Sequence, residues 1–219
     1  MKFPNAYRGV KKIHLGQLFA LIAALAAIAM VVFVAAKIDV NTEELGEDAL
    51  GPIAILLLVS GIFAIIGMII TLVGIVNAMK DESAFRGALI FVILGLIVSA
   101  ANSFYFGSNE KYEDITKYID TGVKLLTLIA SMCVVKGCMN LAQKLDRPDM
   151  VQKGRAAMTA IVIIYLIAIG CDLVRVLVAP EKLGDTILSV VEIAASVLML
   201  IYLIVYIAYL GKAKKMLKE

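Results

Sequence analysis

Five polar side chains fall where the surrounding residues are apolar: Asn102, Lys124, Asp172, Arg175 and Glu192. A charge at membrane depth is costly. As a rule it faces a bundle interior or a water-filled cavity, where it meets an ion, a solute or another charge. Asn102, Lys124, Asp172 and Glu192 each lie five or six residues from the end of their apolar run, a depth of about 8–9 Å at a rise of about 1.5 Å per residue. Arg175 follows Asp172 by three residues, on the same helical face and nearer the surface. Two bases and two acids make the charged set formally neutral. A desolvated network requires that balance, because an unpaired buried charge costs on the order of several kcal/mol. Ser189 and Ser196 share the Glu192 face and would extend a polar lining.

Two kinds of chemistry fit such a set. One is a polar cavity or gate on a solute or ion path, with Lys124 and either Asp172 or Glu192 touching the cargo. The other is a structural ion network tying helices together, with the long Lys124 and Arg175 side chains reaching toward the surface. Asp172 and Glu192 are too short for that escape. Lys136 lies near the other end of its run, where it can reach the interface in the same way.

The elements that position these residues are legible as runs. The chain has 219 residues, 62% hydrophobic and 18% charged, against about 25% charged in an ordinary soluble domain. Leu15–Ala36, Leu50–Met79 and Gly87–Asn109 carry no formal charge, and a helix needs about 20 apolar residues to cross a bilayer core. The runs do not alternate apolar with polar residues, which excludes a transmembrane barrel. The expected fold is therefore an all-α integral membrane protein in one membrane domain. Its six transmembrane helices have approximate spans 15–36, 52–78, 87–107, 119–141, 157–178 and 187–210, paired as three in–out–in hairpins. The first run is read as a retained helix rather than a cleaved leader. Pro52 is a helix-start signal, because a missing amide donor costs little in a first turn.

Charge placement orients the chain. Lys and Arg are retained on the cytoplasmic side. They crowd the amino-terminal segment (Lys2, Arg8, Lys11, Lys12), the 144–155 connection and the carboxyl tail, with Lys80 and Arg86 between the second and third spans. The opposite connections are acidic, as at Glu43, Glu44, Glu47 and Asp48. Both termini are thus expected in the cytoplasm of a multi-pass cell-membrane protein. A basic residue beside a small one opens each hairpin (Arg8-Gly9, Arg86-Gly87, Arg155-Ala156). This hints at triplication, although orientation alone produces much the same pattern.

Small residues mark expected helix contacts, because lipid removes most of the hydrophobic drive and leaves close backbone approach as the attraction. Gly16, Ala20, Ala23 and Ala27 form one such face, and Ser60, Ala64, Gly67, Thr71, Gly74 and Ala78 another. The two are expected to meet. Tyr202, Tyr206 and Tyr209 read as interfacial anchors.

Catalytic chemistry finds no support. His14 is the sole histidine, Cys133, Cys138 and Cys171 fall inside spans, and no glycine-rich phosphate loop or nucleophile–base pattern occurs. No catalytic residue, metal or cofactor is expected, and the charge distribution offers no stripe for nucleic acid. The expected partners are the lipid bilayer and either a second copy or a membrane partner protein. The sequence thus favours a small transporter or channel with an outward-facing polar cluster. The alternative is a non-catalytic membrane scaffold or accessory subunit, and an enzyme acting on lipid through Glu192 is weaker still.

Overall fold

The computed structural model describes residues 2–37, 50–106, 113–177 and 185–219. They form six long helices and, among the described residues, no strand: α1 (Pro4–Lys37), α2 (Leu50–Ala78), α3 (Ala84–Tyr105), α4 (Glu113–Lys144), α5 (Pro148–Leu177) and α6 (Asp185–Lys218). All six are long and apolar enough to cross a membrane, so the chain is a multi-pass helical membrane protein. Between their end turns, helices satisfy their backbone groups internally, which lipid demands. Pro52 sits in the first turn of α2, where its missing donor is harmless. Positions 107 and 178, which end two of the expected spans, lie outside the described residues, as do the acidic connections at 38–49 and 178–184.

The helices follow one another around the bundle in chain order, and α6 closes against α1; α4 also meets α6. Hydrogen bonds gather both chain ends and the α2–α3 and α4–α5 turns at one end. Lys2 Nζ donates to Lys144 O at 3.1 Å, and Arg147 Nη1 to Glu219 Oε2 at 2.5 Å. Asp81, in the α2–α3 turn, accepts from the Ala6 amide at 2.7 Å and from Asn5 Nδ2 at 3.0 Å. Ala6 lies in the first turn of α1, whose amides have no intrahelical acceptor. A residue some 75 positions away therefore supplies the cap, and its negative charge suits the positive helix end. In the α4–α5 turn Asp146 adopts φ 52°, a conformation that Asp tolerates better than most residues. The Arg147 amide donates back to Ala142 O and the Asp146 amide to Gln143 O. These paired bonds close the helix end, and Pro148 opens α5.

The α1–α2 contact is built on small residues at steps of seven. A Cβ on Gly9 would stand 2.6 Å from Gly74 O, and one on Gly67 would stand 2.7 Å from Gly16 O. Ser60 Oγ donates to Ala23 O at 3.0 Å. Each step of seven along α1 is thus matched by a step of seven back along α2, which fixes an antiparallel register. The two small-residue faces expected to meet do so, and Gly9 extends the contact toward the chain end. Phe19 and Phe63 stack beside it, with ring centroids 5.5 Å apart.

A buried apolar core lies at the end that carries the termini. Ile13, Ile75, Phe85, Leu141 and Leu210 are fully buried there, as is Cys138. Phe85 lies over Gly137, whose added Cβ would come within 2.7 Å of the ring, and this locks α3 to α4.

Candidate functional site

Helix α4 is the least apolar of the six spans and the most enclosed by its neighbours, the arrangement expected when polar groups must be kept from lipid. Its polar residues Asp120, Lys124, Thr127 and Ser131 recur at steps of four and three, so they form one stripe. Each end of the stripe is used by a different partner helix.

Lys124 Nζ donates to Asp172 Oδ2 of α5 at 2.6 Å. The lysine side chain is 34% exposed and the aspartate 11%. Both line a cavity of about 430 Å³ between α1, α4, α5 and α6, together with Ile28, Ser196, Met199, Leu200, Tyr202 and Leu203. Among the described residues Asp172 accepts from Lys124 alone. Among the described residues the cavity lining is thus mostly apolar, with one cation from α4, one anion from α5 and the hydroxyl-bearing Ser196 and Tyr202 from α6.

Asn102 of α3 does not reach this pair. Its Nδ2 donates to Asp120 Oδ1 at 3.0 Å, and its own Oδ1 is buried with no hydrogen-bond partner among the described residues. Arg175 lies within α5 and Glu192 within α6, but their side chains fall outside the described residues, as does that of Ser189. Of the five residues singled out by sequence, the described geometry brings together Lys124 and Asp172. It adds Asp120 as the partner of Asn102 and Tyr202 as a wall of the cavity. The stripe on α4 was the signal for Asp120.

The tyrosines differ from their expectation. Tyr202, Tyr206 and Tyr209 are buried rather than interfacial. Tyr202 hydroxyl and Ser131 Oγ share a hydrogen bond at 2.8 Å. The Tyr202 ring meets Tyr165 edge-on, with centroids 4.7 Å apart, and stacks with Tyr206 at 5.8 Å. Spacing of four and three puts the α6 tyrosines on one face, and that face turns inward because α5 and α1 flank it. Among the described residues the Tyr209 hydroxyl is buried without a hydrogen-bond partner. Of this column, Tyr202 reaches the cavity wall.

A second cavity of about 370 Å³ lies between α1, α2, α3 and α4, with Gln17, Thr71, Ser99 and Thr127 among mostly apolar walls. Among the described residues, none that lines it is charged. At the terminus end, Glu82 accepts from Lys144 Nζ at 2.6 Å and Asn140 Nδ2 at 2.9 Å. Burial pushes its carboxyl up, but these donors and the Ala84 amide outweigh it and hold the group below the usual carboxylate range. Among the described residues, no group of His, Cys, Asp and Glu side chains gathers as a metal site would, and all three cysteines are free.

Compared with known protein families, curated proteins and solved structures, the chain matches none.

Proposed function

We propose that this protein is a small membrane transporter or channel whose solute path includes the cavity at Lys124 and Asp172. The observation that carries the reading is an intramembrane ion pair exposed to a cavity instead of packed in a dry core. Intramembrane charges of that kind mark substrate and ion pathways. The buried apolar core at the terminus end supports it, because a path needs a closed end and an accessible one. On the basic-side rule the terminus end is cytoplasmic and the cavity faces outward, in the cell membrane.

The test is flux into liposomes from a broad panel of cations, anions and neutral polar solutes. Wild-type protein should move at least one solute saturably. Asp172→Asn and Lys124→Gln should each cut that flux at least about tenfold, the scale of a lost charged contact, while both variants remain monodisperse. A wild type that moves nothing across the panel would sink the proposal.

A non-catalytic scaffold is the second reading, favoured by the short Lys124–Asp172 distance, since each charge can simply neutralise the other. Replacing both with apolar residues of similar volume would then be neutral or stabilising, and a stable partner protein should co-purify in mild detergent.

A further inference from the structure

Among the described residues the cavity carries one positive and one negative group, on different helices, and apolar side chains make up most of the rest of its wall. From this juxtaposition we infer that the site takes a small zwitterion, a molecule bearing an ammonium and a carboxylate close together beside an apolar group. The inference rests on the solute-path reading above and specifies its cargo.

The physical reason is charge conservation in a poorly solvated space. As it stands, the Lys124–Asp172 pair is neutral and closed at 2.6 Å. A ligand with a single charge must either leave the pair intact, gaining little from it, or split the pair and strand one member. Stranding the Asp172 carboxylate, only 11% exposed, without a cation is unfavourable. A zwitterion does neither. Its carboxylate accepts from Lys124 Nζ while its ammonium donates to Asp172, so one ion pair becomes two and the net charge stays zero. Lys124 has the freedom to make this exchange, being a third exposed on a flexible stem. Asp172 has a second carboxylate oxygen without a partner among the described residues.

The remaining wall suits the remainder of such a molecule. Ile28 from α1 and Met199, Leu200 and Leu203 from α6 present an apolar surface, and methionine adapts to side chains of different shape. A volume of about 430 Å³ falls within the usual range for small-molecule sites, about 300–1,000 Å³. Ser196 also lines the cavity and offers one further hydrogen bond. The second cavity has comparable volume but, among the described residues, no charge, which makes it an internal contrast.

The experiment is equilibrium binding to the purified full chain in detergent. The probes are leucine, methionine and valine, each compared with the amine lacking its carboxylate and the acid lacking its ammonium. At least one zwitterion should bind saturably, at least about tenfold tighter than either of its singly charged analogues. Asp172→Asn should shift preference to the acid-only analogue and Lys124→Gln to the amine-only one. If a single variant fails to fold, the exchanged pair Lys124→Asp/Asp172→Lys serves instead, and it should retain zwitterion binding. Singly charged probes that bind wild type as well as the zwitterions do would overturn the assignment, as would the failure of all three zwitterions to bind. Should liposomes still move another solute in an Asp172-dependent way, the path reading stands and only the cargo class falls. Should zwitterions bind but no flux occur, the site stands and transport falls.

Discussion

A carboxylate that is 6% exposed keeps its charge only if donors replace the water it loses. Glu82 does so through Lys144, Asn140 and the Ala84 amide. Its carboxyl therefore titrates lower in the folded protein than in the unfolded chain, where the ordinary value is 4.5. The stabilisation is fully present above that unfolded value and is lost as pH falls through the lower folded one. Glu82→Gln should cost about 1–3 kcal/mol near neutral pH. The gap in thermal unfolding midpoint between variant and wild type should then close progressively below about pH 4.5. An equal gap at all pH values would show that shape, not charge, carries the effect. The sequence signalled Lys124 and Asp172 but not Glu82, and the difference is physical. A charge inside an apolar run is conspicuous, whereas an acid in a connection reads as solvated. Only the fold shows that Asn140 and Lys144, roughly 60 residues away, turn toward it.

Helix α1 against α2 is the clearest case of an element contact readable before the fold. Small residues at steps of three and four are a direct statement about how close two backbones come, and lipid leaves that signal unobscured. Gly74→Leu should therefore be severe, since its Cβ alone would meet Gly9 O at 2.8 Å. A loss of at least about 1–3 kcal/mol is expected from overpacking, read as a lower unfolding midpoint in detergent. Gly61→Ala is the control: its Cβ meets nothing within 4 Å, so the helix should gain about 0.5–1 kcal/mol or stay unchanged. Equal effects at both positions would mean that the register described for α1 and α2 is wrong. The α6 tyrosines were less legible. A tyrosine near a span end suits an interface as well as a core, and only the position of α5 and α1 around that face decides between them.

Across the whole molecule, packing is graded along the bundle axis. Many of the fully buried side chains among the described residues, such as Ile13, Phe85, Leu141 and Leu210, lie toward the terminus end, with Tyr165 and Ile161 nearer mid-bundle, and the interhelical cavities at Lys124 and at Gln17 lie farther along than the first group. Local stability follows buried contacts. Backbone amides near Val135, Cys138 and Leu210 should exchange with deuterium more slowly than those around Lys124 and Ser196, as mass spectrometry of the detergent-solubilised chain would show. Uniform protection would contradict the gradient. The class of protein and the number of helices followed from composition and run length, because a bilayer tolerates so few architectures. The gradient did not, since periodicity says which face is buried but not how tightly.

The adjacent acids Asp81 and Glu82 also order events in time. Asp81 finds its partners, Asn5 and Ala6, on a helix already made when the α2–α3 turn leaves the ribosome. Glu82 must wait until Asn140 and Lys144 have been synthesised and inserted. One turn thus completes the first hairpin at once and holds a buried charge in reserve for the second. A nascent chain halted between them carries an acid whose sole partner of the three is the local Ala84 amide, at the point where the next hairpin must dock.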